Sequence, residues 1–130
     1  MLTDHIADMM IQIKNAGDAK KESLEIPYSE MKASILEVLQ KKGFIASFAK
    51  KGKKVTKSLD ITLAMADGAP RIHGVKRISR VSGRVYKGAG DLKAVQHGHG
   101  MLIRSTPKGI LTNSDAKKEN VGGEALFEIW

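Results

Sequence analysis

Cysteine is absent from the 130 residues of this chain, which excludes disulfide scaffolds, thiolate metal sites and thiol catalysis. Only three prolines occur, too few for a low-complexity chain. No apolar run approaches the roughly 18 to 20 residues that span a bilayer, and the N-terminus lacks the regions of a signal peptide. We therefore expect a soluble, cytoplasmic protein with no membrane partner, made of one domain or of two small halves.

Acidic residues are outnumbered, and the formal net charge is +8 at a sequence pI of about 9.8. Thirteen of the 22 lysines and arginines fall in two runs that contain no acid, one from Lys41 to Lys57 and one from Arg71 to Lys87. A single surface lysine is most simply a solvated charge. Two acid-free runs together favour a polyanionic partner, and nucleic acid is the leading one.

Hydrophobic spacing predicts an α+β fold. Residues 1–79 are expected to form an α-β-α-β-β half with a further strand over Arg71–Ser79. Residues 80–130 are expected to form a mainly β half with one short helix. Weak periodicity and several glycines mark Arg80–Gly90 as the joint between the halves, and a helical turn is predicted over Asp91–Gln96.

Two amphipathic helices are predicted in the first half. The first begins at a cap formed by Asp4 or Thr3 and stops at Gly17. The second begins at Ser29 and stops at Gly43. Their predicted buried faces consist of Ile6, Met9, Met10 and Ile13 in the first helix and of Met31, Ile35, Val38 and Leu39 in the second.

A β-hairpin organises the second half. Strands over Gly98–Arg104 and from Ile110 onward are predicted to flank a turn over Ser105–Gly109, in which proline and glycine favour chain reversal. This turn carries two hydroxyls, one positive charge and free backbone amides, which can bond to base edges or phosphates. A short helix over Asp115–Glu119, capped by Asn113 or Ser114, and a last strand over Glu124–Trp130 are predicted to follow.

Catalytic and metal chemistry find little support in the sequence. His97 and His99 lie close together, but no cysteine can complete a zinc site. Neither glycine cluster has the spacing of a dinucleotide or Walker loop. Ser105 lacks the Gly-x-Ser-x-Gly context and an assignable base, although a serine hydrolase or transferase stays open as a rival that a serine-directed probe would test. We expect no enzyme, no cofactor and no metal.

One aromatic residue lies among cations. Tyr86 stands between Arg84 and Lys87, where its ring can stack on a base or a sugar, or can pack at the joint with its hydroxyl outward. No helix has the features of a DNA-reading recognition helix. A DNA-binding architectural protein nevertheless remains a second rival.

Three motifs follow one another in the second half: Gly98-x-Gly100, the Ser105-Thr106-Pro107-Lys108-Gly109 turn, and Gly122-Gly123-Glu124. The chain resembles the bacterial small-subunit ribosomal protein family number eight. The resemblance runs from end to end, and these motifs are its most specific part. Further matches are Asp4, Ile6, Ala7, Asp8, Met9 and Asn15 in the opening helix and Arg77, Ser79, Arg80, Arg84 and Tyr86 in the central segment.

The resemblance implies a non-catalytic constituent of the small ribosomal subunit. It implies direct binding to the central domain of small-subunit ribosomal RNA during assembly, with other small-subunit ribosomal proteins as neighbours. Many bacterial members of the family also repress translation of their own messenger RNA, and the resemblance leaves this open for the present chain.

The resemblance also implies roles for single residues. Ser105 and Thr106 would contact bases or sugars, Lys108 would meet phosphate, and Glu124 would support the loop or accept a bond from a base amine. The complete set of RNA-binding residues that we predict is Ser105, Thr106, Lys108, Gly109, Glu124, Gly123, Tyr86, Arg84, Lys14, Asn15 and Lys32.

The chain departs from the family pattern at three places. Pro107 replaces a serine of the turn and removes a hydroxyl and an amide donor. Val81-Ser82 stand where the family commonly has Pro-Gly. Glu30 stands where a lysine is common, which weakens the case for Ser29–Lys32 as a phosphate site.

Overall fold

The computed structural model describes residues 4–52, 57–66, 68–79, 83, 85–87 and 100–130. Its helices and antiparallel strands confirm the predicted α+β class. The elements are α1 (His5–Asp18), β1 (Ser23–Pro27), α2 (Glu30–Lys41), β2 (Ile45–Lys51), β3 (Ser58–Leu63), β4 (Met65–Ala66), β5 (Ala69–Pro70), β6 (Val75–Arg77), β7 (Tyr86–Lys87), β8 (Met101–Thr106), β9 (Gly109–Thr112), α3 (Asn113–Lys118) and β10 (Gly123–Ile129).

The chain divides into two compact units. The first unit is Asp8–His73, and the second is Gly74–Trp130 together with the first seven residues. The boundary that the sequence predicts between residues 1–79 and 80–130 stays a prediction. Within the predicted joint, Arg80–Gly90, the structure describes Gly83 and residues 85–87. The helical turn predicted over Asp91–Gln96 lies outside the described residues.

The sheet of the first unit has the strand order β1-β3-β2, and both pairings are antiparallel. Leu59, Ile61 and Leu63 of the central strand are buried, whereas Asp60 and Thr62 between them are less so. This alternation confirms the predicted half-buried strand, because successive side chains of a strand point to opposite faces.

Helix α1 begins as predicted but continues past the expected stop. The Asp4 carboxylate accepts a hydrogen bond from the Ala7 amide at 3.1 Å, which is N-terminal capping. The expectation that Gly17 ends the helix is wrong. Gly17 lies inside it, where a Cβ would stand 3.0 Å from Pro70, so the glycine serves packing rather than termination.

Helix α2 is capped by the Ser29 hydroxyl, which accepts from the Lys32 amide at 3.1 Å, as predicted. Its buried face differs by about one position from the expected one. Lys32 and Leu36 are buried, whereas Met31 and Val38 are only half-buried. A lysine can occupy this face because its apolar stem packs inward while Nζ donates to the Pro27 carbonyl at 3.3 Å.

The sheet of the second unit is built around β10. This strand pairs antiparallel with β6, β7 and β8, and β9 adds to the outer side of β8. The long strand predicted over Arg71–Ser79 is wrong in extent and in partner, because only Val75–Arg77 is extended and it pairs with β10. Gly74, just before β6, lies against the Trp130 indole, where a Cβ would stand 2.5 Å from Cζ2.

The buried Ser79, which follows β6, is hydrogen-bonded to Val85, which precedes β7. The Ser79 hydroxyl donates to the Val85 carbonyl at 3.2 Å and accepts from the Val85 amide at 2.6 Å. The same Val85 carbonyl accepts from the Ala125 amide at 2.8 Å. Both ends of the segment between Ser79 and Val85 are therefore tied to β10.

Helix α3 has a different cap from the two that were predicted. Thr112, in the extended conformation at the end of β9, accepts from the Asp115 amide at 3.2 Å. Asn113 and Ser114 already lie inside the helix. The hairpin strand leads directly into the helix, so the last strand residue becomes the cap.

An ion pair ties the start of α1 to β6 within the second unit. Arg77 donates from Nε to the Asp4 carboxylate at 2.9 Å and from Nη1 to the Leu126 carbonyl. Burial raises the pKa of Asp4, but the Arg77 hydrogen bond, the Ala7 amide and the Arg77 charge outweigh it. The pKa of Asp4 consequently lies below its usual value of 3.8.

We predict that Asp4→Asn lowers the free energy of unfolding by about 1 kcal/mol at neutral pH, because the amide can still cap α1 but loses the charge pair. A lowered carboxyl pKa stabilises the fold above the unfolded-state pKa, and this contribution disappears as pH falls through the folded-state pKa. Urea unfolding should therefore show the difference shrinking below pH 3.8. The exposed Asp18→Asn serves as control, and a difference independent of pH would contradict this account.

We predict that Thr112→Val lowers the free energy of unfolding by about 1 kcal/mol, since it keeps the shape of the side chain but removes the capping oxygen. Ser114→Ala, an exposed change in the same helix, should have an effect within about 0.5 kcal/mol. Thermal and urea unfolding would measure both. Equal effects would show that Thr112 is not the cap.

Candidate nucleic-acid interface

The hairpin turn is tighter than the sequence suggests. Thr106 pairs with Gly109 across β8 and β9, so only Pro107 and Lys108 lie in the loop. Gly109 has a φ of +113°, which disfavours other residues. Pro107, Lys108 and Gly109 are exposed, so the tip is open to a partner rather than sealed in the core.

Thr106 closes this turn with its side chain. Its hydroxyl donates to the Gly109 carbonyl at 2.8 Å and accepts from the Lys108 amide at 3.1 Å. The hydroxyl proton is therefore committed within the turn, and the oxygen can offer an external group only its remaining lone pair. Thr106 shapes the tip besides being a candidate contact.

Lys108 also has a partner in the protein. Its ammonium lies 3.2 Å from the Glu119 carboxylate, and both side chains are about half exposed, at 53% and 54%. Exposed pairs of this kind contribute little, typically about 0 to 1 kcal/mol. A phosphate can compete for the lysine at a small cost, so the contact does not conflict with the predicted phosphate role.

A row of side chains crosses the sheet beside this tip. Tyr86 pairs with Glu124, Glu124 with Ser105, and Ser105 with Ile110. Residues directly opposite in antiparallel strands present their side chains on the same face. Tyr86, Glu124, Ser105 and Ile110 therefore form one row, which we call the recognition row, with the Tyr86 side chain 72% exposed.

Gly123 allows this row to form. A Cβ at Gly123 would overlap the Ser105 carbonyl oxygen and stand 3.1 Å from the Thr106 Cα. Backbone atoms cannot move aside as a flexible side chain can, so β10 reaches the hairpin only if position 123 is glycine. The glycine predicted as an RNA contact thus has a structural reason as well.

The structure places seven of the predicted site residues together in the second unit, and three others belong to the first unit. Lys14, Asn15 and Lys32 belong to the first unit. Lys14 pairs with Asp18 at 2.7 Å, Asn15 is exposed, and Lys32 is buried. Arg84 lies outside the described residues. The seven that lie together around the turn and the row are Ser105, Thr106, Lys108, Gly109, Gly123, Glu124 and Tyr86.

The two basic runs contain cations with quite different surroundings. Lys51 pairs with Asp60 at 2.9 Å, and this hydrogen bond raises the pKa of Lys51. Arg77 is held by Asp4, and Arg71 lies over the Phe44 ring at 4.6 Å. Several charges that appear free in the sequence thus have structural partners, while Lys53, Lys54 and Arg80 lie outside the described residues.

Two features of the interface were not identified from the sequence. Ile110 belongs to the recognition row because it pairs with Ser105. This pairing could have been predicted from strand alternation on either side of a two-residue loop. Tyr28 lies near lysines of the first run that are distant from it along the chain. Register explains the first, whereas no local pattern signals the second.

Within the described ranges, no three histidine or acidic side chains are grouped in a way that would hold a metal ion; His97 and His99 lie outside those ranges. None of the helices in the described part of the chain combines the length and apolarity that crossing a bilayer requires.

Comparison with known proteins gives matches along the full chain. The family described as Ribosomal protein S8 matches residues 4–130. The small ribosomal subunit protein uS8 of Mycoplasma mobile is 45% identical over 130 residues, covering 100% of this chain and 98% of the relative. The proteins of the same name from Mycoplasmopsis agalactiae and Novosphingobium aromaticivorans are 46% and 41% identical over 129 residues, covering 99% of this chain and 98% of each relative.

Sequence motifs, the α+β fold and these matches agree, and the resemblance inferred from the motifs is confirmed. The chain belongs to the ribosomal protein S8 family.

Proposed function

We propose that this chain is a structural constituent of the small ribosomal subunit that binds the central domain of small-subunit ribosomal RNA and helps it assemble in the cytoplasm. The curated relatives carry the name of a small ribosomal subunit protein. Membership of this family of structural proteins also confirms the prediction that the chain is not an enzyme. Its other partners would be neighbouring proteins of the same subunit.

The observation that carries the proposal is the recognition row beside an exposed hairpin tip. Paired RNA offers a wide, shallow minor groove lined by 2′-hydroxyls and base edges. Ser105 supplies a small hydroxyl that can both donate and accept there. Tyr86 supplies an exposed ring for stacking, and Glu124 can accept only from a donor such as a base amine, since phosphate would repel it.

Cations would supply affinity that is independent of base sequence. At the tip, Lys108 and the backbone around Gly109 face solvent. In the first unit, Lys14 is held only by an exposed pair and Asn15 is exposed, so both can meet an RNA backbone. Arg84 and Lys32 would also contact RNA. Lys32 would then exchange its hydrogen bond to the Pro27 carbonyl for one to a phosphate.

The proposal extends to repression of the chain's own messenger RNA. A surface that recognises a folded shape through hydroxyls and charge will accept any RNA that presents the same shape. Competition between ribosomal RNA and a transcript of the chain's own operon for the purified protein would measure this. Failure of the transcript to compete would remove this part of the proposal alone.

Crosslinking in cells, followed by sequencing of the attached RNA, tests the main proposal. We expect one discrete cluster of crosslinks in the central domain of the small-subunit ribosomal RNA. Crosslinks spread over unrelated RNAs would contradict the proposal.

We predict that Ser105→Ala weakens binding to a central-domain RNA fragment by about 3- to 10-fold, corresponding to one lost hydrogen bond. Binding to an unrelated RNA duplex should be unchanged, because this serine reads shape and not charge. Ser47→Ala, an exposed strand serine of the first unit, is the matched control. Anisotropy titrations measure both, and equal losses on both RNAs would argue against the recognition row.

A further inference from the structure

A tyrosine and two lysines meet at one end of the sheet of the first unit. Tyr28 lies between β1 and α2, Lys50 near the end of β2, and Lys57 just before β3. The ammonium groups of Lys50 and Lys57 stand 4.7 Å and 5.4 Å from the centre of the Tyr28 ring. The Tyr28 amide also donates to the Lys57 carbonyl at 3.2 Å. We call these three residues the Tyr28 cluster.

Lys50 and the adjacent Lys51 lie on opposite faces of the sheet, because side chains alternate along a strand. Lys51 points to the face that carries Asp60 and is neutralised there at 2.9 Å. Lys50, one residue earlier, points to the opposite face. Among the described residues, neither Lys50 nor Lys57 has a carboxylate oxygen within 4.0 Å, and both are exposed. The Tyr28 cluster therefore holds two charges that no described acid of the chain neutralises.

The ring gives these two charges a defined position. Each ammonium is attracted by the π face of Tyr28, whereas the two ammonium groups repel each other. An anion at each ammonium would relieve this repulsion. Because the ring already restricts the long side chains, less conformational entropy is lost when the anion binds.

We propose that the Tyr28 cluster binds the phosphodiester backbone of RNA. This inference rests on the proposed function in taking RNA as the partner, but it adds a contact in the first unit that involves none of the residues named in that proposal. Each phosphodiester carries a single negative charge on two exposed oxygens, and one RNA strand can present two such groups, one to each ammonium donor. RNA repeats this group at every nucleotide, so the site needs no particular base sequence.

The salt dependence of binding to a fluorescent oligouridylate tests the proposal with the full chain. Each phosphate contact to a single strand contributes about 0.7 to the slope of log affinity against log salt. Lys50→Gln combined with Lys57→Gln should therefore lower the magnitude of the slope by about 1.4. Lys20→Gln combined with Lys21→Gln removes the same charge from exposed lysines of the same unit and should leave the slope unchanged. Equal slopes for the two double variants would overturn the proposal.

Substitutions of the ring test whether it positions the lysines. Tyr28→Phe keeps the π face and should bind oligouridylate as the unchanged protein does. Tyr28→Leu keeps both charges but removes the face, and affinity should fall by about 2- to 5-fold, the range of an exposed cation–π interaction. Thermal unfolding of each variant verifies that the fold persists. Unchanged affinity of a folded Tyr28→Leu would refute the positioning role and with it the proposed site.

Two further measurements separate this proposal from its rivals. Polyglutamate that displaces oligouridylate at equal charge concentration from the unchanged protein, but not from the lysine double variant, would assign the cluster to an acidic protein and overturn the RNA assignment. If crosslinks show no discrete ribosomal site while the double variant still loses slope, the proposed function fails and the cluster stands. If crosslinks show a discrete ribosomal site while the slope stays unchanged, the proposed function stands and the cluster fails.

Discussion

The second unit depends on the close approach of β10 to the hairpin at Gly123. The missing side chain lets the β10 backbone pass the Ser105 carbonyl oxygen, which any Cβ would overlap. Because β10 also pairs with β6 and β7, a shift at this point would be felt by every strand of the sheet. The same approach places Glu124 between Tyr86 and Ser105. The packing of the sheet and the placement of the recognition row thus rely on one contact, which gives a physical reason for the Gly-Gly-Glu motif.

The cationic side chains described in this protein have three kinds of surroundings. Arg77 joins the start of α1 to β6 and β10, and Lys51 is neutralised by Asp60 on the sheet. Lys108 rests on an exposed carboxylate that a phosphate can replace. Lys50 and Lys57 gather on an aromatic ring. Among these described cations, Arg77 and Lys51 are already neutralised by carboxylates, so net charge alone does not show which cations are available to RNA.

Much of the fold could be predicted from local patterns, and the errors have physical causes. Apolar spacing located both long helices and the central strand of the first sheet, because burial of one face imposes that period. Gly17 was misjudged because its packing against Pro70, far along the chain, outweighs its low helix propensity. The cap of α3 was misassigned because Asn113 and Ser114 are good caps in isolation, whereas the register of β9 gave that place to Thr112.

The sequence by itself determined the α+β class, the excess of positive charge, the hairpin and the family. Charge follows from composition, and the other three follow from periodicity and motifs within short stretches of the chain. Only the tertiary structure decided that β6 joins β10, that the Thr106 hydroxyl is used within the turn, and that Tyr28 collects two lysines. These depend on strand register and on contacts between distant residues. A shift of one residue in register turns every side chain of a strand to the other face, and local sequence does not encode that choice.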